Sequence, residues 1–191
     1  FDCHMPPVLQ SATSTPPDLD SRHEYRPPTV DDGVRLWEMA RDSDVLDVNS
    51  SYSYLLWCRD FAATSVVAVD EDDRPVGFVT GYLRPGAPHT VFVWQVAVDA
   101  AHRGRGLARG MLEALVDRVA VDHGVTTLET TVSPDNAASI ATFTSLARRR
   151  GTGIVRSDLF AAGSFPDAHQ PEDLYTVGPF AAPTNDSQET S

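Results

Sequence analysis

The chain has 191 residues, 41% of them hydrophobic and 22% charged, which suits one well-filled domain and excludes both a second full domain and wholesale disorder. Fifteen basic residues against 27 acidic ones give a net charge of -12, the wrong sign for a phosphate-backbone binder, so no nucleic-acid partner is expected. All fifteen bases are Arg, and without Lys there is neither a Walker A loop nor a Schiff-base mechanism.

Residues 1–20 place Pro6, Pro7, Pro16 and Pro17 among Ser, Thr and Asp, with few large apolar groups, and read as a flexible tail. The segment 181–191 reads the same way, so the folded unit is expected over about 22–180. Phe1–Met5 lack the charged and apolar stretches of a secretion signal, and Met5 reads as a natural start. An extended piece at Tyr25–Arg26 ends at Pro27-Pro28. Thr29 and Asp32 then have the spacing of a capping box, and Val34, Trp37 and Ala40 give the stripe of a first helix. Asn49 and Ser50 are caps for a second helix, whose Tyr54, Leu55 and Trp57 supply apolar bulk up to Phe61. Thr64–Asp70 and Val76–Leu83 are β-rich and flank the charged turn Glu71–Arg74, which predicts a hairpin. A loop, Arg84–His89, leads to Thr90–Val98, a run apolar nearly throughout and read as a central strand buried on both faces.

A Gly/Arg-rich turn follows, and Leu107, Met111 and Leu115 mark a helix that Gly124 ends after His123. Thr126–Val132 reads as a strand, Ser133–Asp135 as a turn and Asn136–Arg150 as a helix. Ile154–Phe160 and Leu174–Val177 read as the last strands. The order predicts an α/β fold, a mixed sheet with helices on both faces. No apolar run approaches the roughly 20 residues of a membrane span, so no membrane partner is expected. Cys3 and Cys58 are too few for a disulfide framework, and a soluble cytoplasmic protein is expected. His4, His23, His89, His102, His123 and His169 are scattered without ligand spacing, so no metal is expected.

The stretch after the central strand carries the most chemistry. Arg103-Gly104-Arg105-Gly106-Leu107-Ala108 opens a helix directly behind an apolar strand. Glycines there let successive N–H groups converge, and the helix N-terminus adds partial positive charge, which makes a pyrophosphate site without Lys. The same residues also fit a plain tight turn between strand and helix. A dinucleotide-binding glycine pattern fits less well, because Arg109 stands where its third glycine belongs.

Arg103-x-x-Gly106-x-Ala108 resembles the acetyl-CoA loop of the Gcn5-related N-acetyltransferases, and Leu128–Val132 with Asn136-Ala137-Ala138-Ser139 resembles that family's next strand and helix start. The resemblance covers about 22–180. It implies that acetyl-CoA lies in a V between two parallel strands. The groups implied to hold it are Val96 and Val98, the loop residues Arg103, Gly104, Arg105, Gly106, Leu107 and Ala108, and Asn136 and Ser139, with Asn136 on the pantetheine arm. Many members of the wider superfamily place a Tyr in the following helix to protonate the leaving thiolate. The matching slot here is Phe143, which has no proton to give.

A narrower resemblance rests on Leu46–Leu56 (LDVNSSYSYLL), Phe61-x-x-Thr64-Ser65, Phe92–Val98 (FVWQVAV), and Thr130-Thr131 with Asn136-x-x-Ser139. These are similar to the L-2,4-diaminobutyrate acetyltransferases of ectoine synthesis. The resemblance implies acetyl transfer to the γ-amine, giving N4-acetyl-L-2,4-diaminobutyrate, and a homodimer. It also implies an acceptor site with Asp47, Tyr52, Trp94 and Glu172. Carboxylates and aromatic faces suit a substrate with two ammonium groups. By residue type alone, Asp47 is equally a helix-start acid, Trp94 a core side chain and Glu172 a solvated loop acid. Tyr52 is preferred to Tyr54, which joins the apolar bulk of Leu55 and Leu56. Two other readings stand beside this one: acetyl transfer to another amine, such as an aminoglycoside or a protein N-terminus, and a CoA-binding sensor without turnover.

Overall fold

Runs of β-branched residues build one mixed sheet, described in a computed structural model for residues 23–43, 46–167 and 169–181. The expected tails, Cys3 and the reading of Phe1–Met5 lie outside these residues, Ala181 excepted. Seven strands lie in the order β1-β2-β3-β4-β5-β7-β6. They are β1 (Glu24–Arg26), β2 (Val66–Val69), β3 (Pro75–Arg84), β4 (Ala87–Val98), β5 (Thr127–Val132), β6 (Gly153–Phe160) and β7 (Glu172–Gly178). Only the β4–β5 pair is parallel. On one face α1 (Gly33–Arg41) and α2 (Ser51–Asp60) pack Leu36, Met39, Tyr54 and Cys58 onto Val67, Val69 and Phe78. On the other, α3 (Leu107–His123) and α4 (Ala137–Arg149) pack Met111, Leu115, Phe143 and Leu146 onto Val91, Val93, Leu128 and Val177. No helix among the described residues is long and apolar enough to cross a membrane.

Local signals place most boundaries. The Thr29 backbone N–H donates to Asp32 Oδ2 at 2.7 Å, and the Thr29–Asp32 box opens a 3-10 turn that runs into α1. Arg26 clamps the same carboxylate, which stays charged despite its burial and is held below the usual Asp range by Arg26 and Thr29. Gly124 ends α3 in the left-handed region at φ 64°.

Four expectations change. The buried stripe of α1 is shifted from the expected one: Ala40 is buried and Trp37 packs against the core as expected, but Leu36 and Met39 are buried as well and Val34 is 56% exposed. The cause is contact with α2, since a Cβ on Gly33 would stand 2.8 Å from Leu55 Cδ2. Thr64 belongs to a 3-10 turn, and the strand begins at Val66. The loop expected over Arg84–His89 shrinks to a turn at Pro85-Gly86, because Ala87 already pairs with Arg84. Lastly, β4 is not buried on both faces. Phe92, Trp94, Val96 and Val98 alternate as half-buried residues, and Val96 and Val98 border cavities.

Candidate active site

β4 and β5 run parallel at the centre of the sheet and separate halfway along. Thr90–Val93 pair with Thr127–Thr130. Beyond that point β4 pairs only with β3, and β5 only with β7. The β3–β4 register slips between Thr80 and Gly81, opposite an extra residue, Trp94. A bulge of this kind bends its strand and re-aims side chains. The outcome is a V whose β4 wall offers backbone groups with no strand partner.

A cavity of about 330 Å³ sits in this V and brings together Asp47, Trp94, Val96, Asn136, Ser139 and Glu172. A second, of about 450 Å³, lies between the starts of α3 and α4 and gathers Val98, Arg103, Gly104, Gly106, Leu107 and Ala108. Tyr52 and Arg105 line neither, contrary to expectation. Tyr52 stands in the first turn of α2 and is 65% exposed. Tyr54 is fully buried in the core, as expected, and two residues earlier the helix is turned by about 200°, so Tyr52 faces away from it. Arg105 folds back, and its guanidinium donates to the Ala101 carbonyl at 3.2 Å.

The loop between β4 and α3 has the conformation that its glycines permit. Gly104 and Gly106 sit at φ 76° and 79°, in the left-handed region, and Gly106 caps α3. The first-turn N–H groups of α3 therefore open towards the second cavity. Arg103 Nε donates to the Val98 carbonyl at 3.2 Å, fastening the loop to β4. Arg109, from the first turn of α3, lines the same cavity. Two guanidiniums and a helix start thus form a cationic pocket on a chain of net charge -12.

The cavity in the V has the opposite character. Glu172 opens β7, and its Oε1 accepts from Ser133 Oγ at 3.0 Å. Asp47 Oδ2 meets His169 Nε2 at 3.0 Å, while His169 Nδ1 meets the Gln170 carbonyl at 2.7 Å. With an acceptor at each nitrogen only the imidazolium satisfies both. The Gln170 carbonyl, and after it Asp47, raise the His169 pKa above its ordinary value. The ring also stacks on Phe165 at 4.2 Å between centroids.

The Asp47 loop is anchored to the sheet. Gln95 Nε2 donates to the Asp47 carbonyl at 3.0 Å, and the buried Tyr54 hydroxyl donates to Gln95 Oε1 at 3.1 Å. Trp94 stacks on Trp57 at 4.9 Å, with planes 22° apart. At the start of α4, Asn136 Oδ1 accepts from the Ser139 backbone N–H at 3.1 Å. Phe143 is buried and borders the cavity, so the slot expected for a Tyr holds a ring with no hydroxyl.

Gln95, Ser133, Phe165 and His169 were not singled out by sequence. Gln95 carried a signal, as a polar residue inside an apolar strand. His169 carried none, since the carboxylate it meets is 122 residues away.

This splayed parallel pair, with a glycine loop at the head of the next helix, defines an acyl-CoA-binding fold. The chain matches the Acetyltransferase (GNAT) family over residues 32–147 and belongs to it. It is 60% identical over 156 residues to the L-2,4-diaminobutyric acid acetyltransferase of Streptomyces coelicolor, covering 81% of this chain and 92% of that protein. It is 43% identical over 159 residues to the protein of the same name from Virgibacillus pantothenticus, covering 83% and 99%. A solved structure, the diaminobutyrate acetyltransferase EctA from Paenibacillus lautus in complex with L-2,4-diaminobutyric acid and coenzyme A, superposes with a TM-score of 0.78 at 38% identity, covering 88% of this chain and 98% of that one.

Proposed function

We propose that the chain transfers the acetyl group of acetyl-CoA to the γ-amine of L-2,4-diaminobutyrate, giving N4-acetyl-L-2,4-diaminobutyrate. The observation that carries this reading is the opposite charge of the two cavities. Arg103, Arg109 and the start of α3 suit a polyphosphate, while in the other cavity the carboxylates Asp47 and Glu172 outnumber the one cationic lining side chain, His169, and leave a net negative pocket for a substrate with two ammonium groups. Relatives that bear this activity in their names support it.

Acetyl-CoA supplies the activated thioester. Arg103, Arg109 and the backbone of Gly104–Ala108 hold its pyrophosphate, Val96 and Val98 offer the free edge of β4, and Asn136 and Ser139 hold the pantetheine arm. Backbone N–H groups around Val96 polarise the thioester oxygen. Asp47 and Glu172 place the ammonium groups of the acceptor against the face of Trp94. Attack needs a neutral amine, so the ammonium first gives a proton to water; the nitrogen lone pair then forms the carbon–nitrogen bond as the carbon–sulfur bond breaks, its electron pair leaving on the CoA sulfur and the second amine proton passing to water. Phe143 has no proton to give, and the thiolate of CoA is a tolerable leaving group without one. The reading includes a cytoplasmic homodimer with no nucleic-acid or membrane partner.

The test is CoA release with a panel of amines, followed by NMR of the product. N4-acetylation alone is expected. 2,3-Diaminopropionate falls short by roughly 1–1.5 Å of reach and should be poorer by on the order of a hundredfold. Faster turnover of an aminoglycoside or a peptide N-terminus, a dominant N2 product, or no turnover would refute the reading.

A further inference from the structure

The outer edge of the sheet is β6, which pairs with β7 on one side only, and no strand among the described residues pairs with its other side. Every residue from Val155 to Phe160 is exposed. Val155 is 65% exposed, and the Asp158 side chain 96%. Natural edges are usually short, covered or heavily charged, because a row of free N–H and C=O groups pairs with any strand that fits. This edge is eight residues long and carries apolar Ile154, Val155, Leu159 and Phe160 around one Arg and one Asp.

Those residues form a complementary palindrome. Read from Ile154 to Phe160 the strand is Ile-Val-Arg-Ser-Asp-Leu-Phe. Turned end for end about Ser157, Ile154 meets Phe160, Val155 meets Leu159, and Arg156 meets Asp158. We propose that β6 is the contact between two copies of this chain, joined edge to edge as an antiparallel ladder with the two-fold axis at Ser157. A two-fold contact requires a surface complementary to itself, and the neighbouring registers lack that property. Centred on Arg156, Asp158 faces Ile154; centred on Asp158, Arg156 faces Phe160. Both set a charge against an apolar side chain.

The side chains are already arranged for this register. Arg156 Nε is held by Asp173 Oδ2 at 2.7 Å, which fixes the guanidinium on the strand. Its Nη2 lies 3.7 Å from its own Asp158, and that carboxylate keeps most of its surface free for an Arg156 from a second copy. The slip in the β6–β7 register falls between Asp158 and Phe160, so Gly153–Asp158 stay regular. Phe160 also walls the cavity in the V, which places the second copy beside the acceptor site. The inference rests on the homodimer of the proposed function and adds a surface and a register to it.

The test uses the full chain carrying Cys3→Ser. Adding Ser157→Cys brings two thiols together at the axis, with Cα atoms about 4.5–5.5 Å apart, inside disulfide range. Mild oxidation should give a covalent dimer on a non-reducing gel. Val155→Cys in the same background should not, because its copies stand about 13 Å apart along the strand. Asp158→Arg, at an exposed position that does not threaten folding, sets Arg against Arg and should raise the dimer Kd in sedimentation about tenfold or more. A monomer at micromolar concentration overturns both the interface and the homodimer. A dimer indifferent to Asp158→Arg, or one in which position 157 does not cross-link, overturns the interface and leaves the homodimer standing on another surface.

Discussion

Replacing Glu172 by Gln isolates one charge. The residue opens β7 opposite Phe160 of β6, so its backbone is set by the ladder and not by its side chain. Its Oε1 accepts from Ser133 Oγ at 3.0 Å, and Gln offers an oxygen of the same reach, so that bond and the shape of the cavity survive. What disappears is the charge available to an ammonium group. Losing a charge-assisted hydrogen bond costs about 1.5–3 kcal/mol, which is roughly ten- to a hundredfold in kcat/KM. Steady-state kinetics should show that loss with diaminobutyrate, while calorimetry finds unchanged affinity for acetyl-CoA and the melting temperature holds. Asp47→Asn should cost less, because the Asp47 side chain is 82% exposed and solvent screens its charge. If Glu172→Gln keeps wild-type kinetics, or weakens acetyl-CoA instead, the acceptor carboxylate has been misassigned.

Asp47→Asn should also lower the pKa of His169 in an NMR titration of the ring, yet leave it above the ordinary value. The Gln170 carbonyl is the larger cause of the rise and remains in place. Because the folded value is raised, the charged contact between His169 and Asp47 is complete below the unfolded His pKa and is lost as pH rises through the folded one. A pKa indifferent to the substitution would dissolve the pair. Gly106→Ala forces a side chain to φ 79°, at a cost of about 1–2 kcal/mol, and places its Cβ 3.1 Å from the Arg109 guanidinium. Calorimetry should show acetyl-CoA binding sharply weakened, with a melting temperature lower by about 2–8 °C; unchanged binding would remove this loop from the cofactor site. Tyr54→Phe leaves the buried Gln95 Oε1 without its donor, and denaturant unfolding should show a loss of about 1–3 kcal/mol. No loss would mean that the Tyr54–Gln95 bond anchors nothing.

Much of this molecule is legible residue by residue. Gly104, Gly106 and Gly124 mark left-handed positions because a Cβ is disfavoured there whatever surrounds it. The β-branched runs mark strands, and the Thr29–Asp32 spacing marks a helix start, for reasons that act within a few bonds. Most residues expected on the cofactor side line one of the two cavities, whereas Arg105 lines neither and Arg109, which lines one, was not among them. Side-chain direction is another matter. Whether Tyr52 or Tyr54 turns inward depends on the rotation of α2, which packs on α1 through the contact of Gly33 with Leu55. The exposure of Val34 on α1 follows from that same contact. The V exists because β4 carries one residue more than β3 at Trp94, a mismatch visible only once the two strands are paired. His169 reaches Asp47 across 122 residues. Backbone preference is a property of a residue and its near neighbours, so the sequence alone determined the elements and the loop at Gly106. The acceptor pocket is a meeting of side chains from distant segments, and packing between elements decided which of them face it.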